Sequence, residues 1–201
     1  GGVPHSSCGI HIHIDGANHT ANSLQRMVNF MYSRQDIIYE ALDIEDRKNR
    51  WCKPICQELY SNIKKLKSDA ASDVEKIWYS DANDRYWGGI SHEHYNETRY
   101  HALNLHSFFS KGTVEFRLFN STLHAGRIKA YIQFCLALSA WSIESTGRIV
   151  FRSMKGYCPE KKVTLMYHIL TNRLGLYGDE FKTCRYHMMS KLKENVTSAV
   201  A

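Results

Sequence analysis

The sequence predicts an α+β fold, a small antiparallel curved sheet with helices packed on one side. Three observations predict it. Cys8 to Asp15, Arg99 to His106 and Thr113 to Phe119 alternate apolar and polar residues, the period of half-buried strands. Elsewhere apolar residues recur at spacings of three and four, the period of an amphipathic helix. These helical stretches are segregated, one run between the first two strands and another after the third. Strands are therefore expected near 9–15, 99–107 and 112–119, within a single domain covering 1–201.

The first strand sets His11, His13 and Asp15 on one face and Ile10, Ile12 and Ile14 on the other. Gly16 to Thr20 reads as a turn. From Ala21 a helix follows, with Leu24, Met27, Val28, Met31, Ile38 and Leu42 on one side and Thr20 or Asn22 as its cap. The charged stretch from Asp43 to Arg50 is a connection. Pro54 suits the first turn of a helix with Ile55, Leu59, Ile63 and Leu66 on one face. Ser72 and Glu75 have capping-box spacing for a short helix through Trp78. Residues 81–98, polar and aromatic with Gly88 and Gly89, read as a long loop. Its Tyr86, Trp87, His92, His94 and Tyr95 are suited to stacking on a ring or to anchoring the loop.

In the second strand Leu103 and Leu105 share a face, with Tyr100, Asn104 and His106 on the other, and Lys111 and Gly112 mark a hairpin turn. The third sets Val114, Phe116 and Leu118 inward and Thr113, Glu115 and Arg117 outward. An apolar core helix then runs from about Ile128 to Glu144. A basic loop spans 147–159, and two further helices, Val163 to Leu174 and Asp179 to Leu192, are separated by Gly175 and Gly178.

With 201 residues and 43% hydrophobic content the chain can bury a sizeable core. No apolar run is long enough to span a bilayer. The start shows no secretory signal and no initiator Met. Six scattered cysteines do not make the framework of a small secreted domain, so reduced thiols in a cytoplasm are expected. Cys52 and Cys56 would be helical neighbours, but a zinc site would need two more ligands and no second close pair exists. The net charge of +6 suits anions such as nucleotide phosphates. Its short basic groups are mixed with acids, so nucleic acid is not the expected partner.

The strand fronts together supply His11, His13, Asp15, Asn104, Glu115 and Arg117. Imidazole and carboxylate suit Mg²⁺ or Mn²⁺ bound beside a phosphate. An arginine two residues from the carboxylate, on the same face, is placed to neutralise phosphate oxygens. Taken alone, Glu115 and Arg117 also read as an exposed cross-strand ion pair of little worth.

Cys8 to Asp15, Arg99 to Leu105 and Thr113 to Asn120, in that order and at those distances, resemble the amidoligase family, carboxylate–amine ligases related in fold to glutamine synthetase. The resemblance continues through Leu123 to Ile132 and Leu174 to Phe181. It implies a glutamine-synthetase-like fold and an ATP-dependent ligase: ATP phosphorylates a carboxylate, and an amine displaces phosphate to leave an amide. It implies His11, His13 and Glu115 as metal ligands, with His13 also near nucleotide phosphates. Arg117 would clamp phosphate or acyl phosphate, and Arg99 and Asn104 would line the cofactor pocket. The substrates would be a small-molecule or peptide acid and an amine, and assembly into an oligomer is open.

Related ligases carry an upstream Glu-x-Glu strand that adds metal carboxylates, and the sequence begins after the place where it would occur. The expectation is a C-terminal two-thirds of such a catalytic domain. Two other functions stay open from the residues. One is a nucleotide- or anion-binding module with a lapsed site. The other is a metal-dependent hydrolase, since His-x-His on a strand also serves barrel hydrolases; those need roughly 250 residues and repeated strand–helix units.

Overall fold

A computed structural model describes residues 3–5, 8–80, 90–146, 154 and 156–200. Two parts of the sequence reading therefore lie outside the described residues: Tyr86 and Trp87 with their glycine pair, and most of the basic loop at 147–159. The sheet has three strands, β1 (Gly9–Asp15), β2 (Leu103–Asn104) and β3 (Thr113–Asn120), in the order β1-β3-β2. Both pairings with β3 are antiparallel. The α+β class holds, with helices α1 (Ala21–Leu42), α2 (Gln57–Lys65), α3 (Ala71–Tyr79), α4 (His106–Lys111), α5 (Ala125–Glu144), α6 (Pro159–His168) and α7 (Lys182–Val200).

The second strand differs from its expected extent of 99–107. Glu97–Tyr100 is a 3-10 turn started by Asn96, whose side chain accepts from the Thr98 N–H. Only Leu103 and Asn104 pair with β3. His106 then opens α4, so the expected hairpin turn at Lys111 and Gly112 is instead a helix end. Gly112 closes it at φ 72°, a left-handed conformation that glycine adopts without a Cβ penalty. Asn104 Oδ1 accepts from the Ser107 N–H at 3.3 Å, which turns the chain out of the strand and into the helix.

The strand faces follow from register, because directly paired residues share a face. Ile12, Phe116 and Leu103 form one row on the apolar side, while His13, Glu115 and Asn104 form one on the polar side. Between Ile10 and Ile12 the pairing slips: His11 faces two residues of β3, Arg117 and Leu118. This bulge resets the phase of β3. Strict alternation would put Phe119 beside Glu115 and Arg117. Instead Phe119 pairs with Ile10 and its ring stacks on Tyr131 of α5, centroids 4.2 Å apart.

The core lies between the apolar sheet face and the helices. Thr20 opens α1 with a reciprocal cap, accepting from the Ser23 N–H while Ser23 Oγ accepts from the Thr20 N–H. Leu24, Met27, Val28, Met31 and Ile38 are fully buried against the sheet and the neighbouring helices, each worth about 1.5–3 kcal/mol of transfer from water. α5 buries Ala130, Tyr131, Phe134, Cys135 and Leu138, but exposes Ile132 and Leu136 on its outer side. The Ser72–Glu75 capping box does not form: α3 begins at Ala71 without a side-chain cap, and Glu75 meets His92. Cys52 lies in a connecting segment and Cys56 caps α2, so the two do not share a helix. Among the described residues no helix is long and apolar enough to cross a membrane.

Candidate functional site

The polar sheet face converges on the Glu115 carboxylate. Arg117 donates from Nη1 to Oε1 at 2.8 Å, and His11 Nδ1 lies 3.0 Å from the same oxygen. His13 Nε2 is 3.6 Å from it. Asn104 Nδ2 donates to the other oxygen, Oε2, at 2.5 Å. Period-two strands explain the convergence: His11 and His13 share a face of β1, Glu115 and Arg117 share one of β3, and the pairing sets His13 opposite Glu115. His11, His13, Glu115, Arg117 and Asn104 are thus brought together. Asp15 is not, since it pairs with Thr113 and accepts from the Ala17 N–H, closing the turn after β1.

Two neighbours orient the imidazole of His13. Thr113 Oγ1 is 2.9 Å from Nδ1, and Ser107 Oγ is 3.0 Å from Thr113 Oγ1 and 3.4 Å from Nδ1. With Nδ1 so engaged, Nε2 is the nitrogen turned to Glu115. Burial works to raise the Glu115 carboxyl, but the His11 contact, Arg117, Asn104 and His13 outweigh it and hold it at about 2. Burial pushes the His13 imidazole below its ordinary value, with Glu115 opposing and Lys111, His11 and Arg117 adding to the push. Glu115 and Arg117 are buried, while the side chains of His11 and His13 are 36% and 40% exposed. Solutes therefore reach the cluster from the β1 side.

Arg99 stands apart from Glu115 and Arg117. It projects from the 3-10 turn, donates to the His94 carbonyl and lies over the rings of Tyr95 and Tyr100. It shares with Asn104, Glu115, His106 and Lys111 the lining of a cavity of about 130 Å³ beside α4. In the loop before it, His92 is tied to Glu75, His94 meets Tyr95 edge-on, and Tyr95 is exposed.

The donors suit a divalent ion in part. Mg²⁺ commonly uses one or two carboxylates with substrate phosphates completing its shell, and Glu115 with two imidazoles supplies that much. It is not a formed cage: among the described residues no group of three or more His, Cys, Asp or Glu is arranged to hold a metal. Both Glu115 oxygens are engaged, one of them by a guanidinium.

Reading the sequence missed Ser107, Thr113 as a partner of His13, and Lys111. A usable signal was present for the first: Asn three residues before Ser is a helix-start spacing as well as a strand pattern. Lys111 carried none.

Residues 1–139 match the family model described as "Putative amidoligase enzyme". No curated protein and no solved structure matches the chain.

Proposed function

The chain belongs to the amidoligase family, and on that premise we propose that it is an ATP-dependent carboxylate–amine ligase working through an acyl phosphate. One observation carries the reading: two imidazoles, a guanidinium and an amide gather on a single buried carboxylate at the open face of the sheet. ATP with Mg²⁺ or Mn²⁺ would supply the phosphoryl group and its counter-charge. His11, His13 and Glu115 would hold the cation. Arg117, buried with a planar fork of donors, would meet phosphate or acyl-phosphate oxygens, and its low-dielectric setting would strengthen that contact. Thr113 and Ser107 would keep His13 in one orientation while charge moves past it. Asn104 would hold Glu115 in place, with Arg99 at the pocket wall.

The same reading takes the fold as glutamine-synthetase-like, supported by the antiparallel sheet with its polar face uncovered by α1 and α5. It takes the compartment as cytoplasmic, supported by Cys52, Cys135 and Cys184 buried as thiols whose pKa values burial raises.

The test is an assay with ATP, Mg²⁺, hydroxylamine as a general amine and a panel of carboxylic acids, reading hydroxamate and ADP. Acid-dependent hydroxamate with matching ADP is expected. His11→Ala and Glu115→Ala are each expected to lower it by at least about 100-fold. Hydroxamate at wild-type rates in either variant removes that residue from the mechanism, and no acid-dependent product at all sinks the ligase.

A further inference from the structure

The cavity beside α4 is separate from the His11 and His13 side of the cluster. It lies across β3, on the β2 side of Glu115, about one strand spacing of roughly 5 Å from the imidazoles. At about 130 Å³ it matches a group of a few heavy atoms. Two permanent cations line it, Arg99 and Lys111. Neither has a carboxylate partner among the described residues. Glu115 forms part of the floor, with Arg117 donating to one oxygen and Asn104 to the other. His92, His94 and His106 also line it.

The cations act on this space. His106 is pushed down to about 4, first by burial and then by Arg99, His92 and Lys111, with Glu115 opposing. Its Nδ1 lies 2.7 Å from the Tyr79 hydroxyl, which fixes the orientation of the ring. A solvent-accessible recess whose lining carboxylate, Glu115, is bonded to Arg117 and Asn104, and not to Arg99 or Lys111, leaves those two cations to draw an anionic occupant.

Resting on the ligase reading above, we propose that this recess takes a second anionic group of the acid substrate, held by Lys111 and Arg99 while the reacting carboxylate lies beside Arg117. The acid joined by this enzyme is then at least dianionic, and Lys111 is a specificity residue. The geometry suits this division. Phosphate arriving from the open β1 side and an acid tail anchored on the β2 side would meet over Glu115 and Arg117, in the middle strand.

Matched pairs test it: succinate against butyrate and glutarate against valerate, each with ATP, Mg²⁺ and hydroxylamine. The wild type is expected to favour the diacid by at least about tenfold in kcat/KM, the scale of one charge-assisted hydrogen bond. Lys111→Met is expected to erase that ratio through KM, and Lys111→Arg to keep it within about threefold. In parallel, calorimetry measures succinate binding to the wild type and to Lys111→Met without turnover, with loss expected in the variant. Equal turnover of mono- and diacids overturns the proposal and leaves the ligase intact, as does succinate binding that ignores Lys111. Lys111-dependent succinate binding with no hydroxamate from any acid overturns the ligase reading, and the substrate assignment falls with it.

Discussion

Two arginines meet β3, Arg47 at its end and Arg117 in its middle, equally buried at 5% exposure, and they do opposite things. Arg47, from the 3-10 turn Glu45–Arg47, donates to the Phe119 carbonyl at 2.6 Å and to Asn120 Oδ1 at 3.2 Å. Its hydrogen-bond partners are neutral, one of them main chain, so its bonds pin the end of β3. Arg117 meets a carboxylate at 2.8 Å, an imidazole at 3.4 Å and the ring face of Tyr100. The carboxylate among them titrates, and the imidazole is a side chain reachable from solvent. Burial makes both guanidiniums consequential, but only a partner that can change state lets one of them do chemistry.

The largest expected effect separates the two. Arg117→Met leaves a buried carboxylate without its cation and is expected to cost about 3–5 kcal/mol at neutral pH. Arg47→Met loses two bonds to neutral acceptors and is expected to cost about 2–3 kcal/mol. Denaturant unfolding as a function of pH sharpens the contrast. Glu115 is depressed in the folded state, so its contribution is full above the unfolded value of 4.5 and is lost as pH falls toward 2. The gap between wild type and Arg117→Met is therefore expected to narrow below about pH 5, while the Arg47→Met gap stays constant. Parallel gaps for both variants would erase the distinction.

A smaller effect probes the Arg47 end alone. The first residue of β1 is glycine because a Cβ there would stand 2.4 Å from Arg47 Nη2 and 3.2 Å from the Phe119 oxygen. Gly9→Ala is expected to cost about 1–3 kcal/mol as an overpacked site, read from the thermal midpoint. Combined with Arg47→Met the cost is expected to fall, since the obstructing atom is gone. Strict additivity of the two would mean that the strand, and not Arg47, demands the glycine.

The sequence revealed the Arg117 cluster far better than the Arg47 end of the strand, and the reason is physical. Period two assigns His11 with His13 and Glu115 with Arg117 to a face within each strand, so only the pairing of the strands had to be supplied. Arg47 signals nothing in sequence, because its partners are a backbone carbonyl and an amide more than seventy residues away. The bulge opposite His11 was equally silent, since Phe119 is apolar in either phase. Between 97 and 111 alternation misled. Leu103 and Leu105 are both buried, but one in a strand and the other at a helix start, so burial at spacing two does not imply extension there. That single misreading hid Lys111 and the recess.

The smallest expected effect straddles the comparison. Asn104 makes one bond of each kind: its amide donates to Glu115, which titrates, and its oxygen accepts from the Ser107 N–H, which does not. Asn104→Ala is expected to cost about 1–2 kcal/mol at pH 7, the sum of two modest bonds. The half acting through Glu115 should fade as pH falls through about 2, because a protonated carboxyl no longer gains from the donor. The half that starts α4 should persist at every pH and show as faster amide exchange in residues 106–111. A cost that disappears entirely in acid would mean that α4 does not need Asn104.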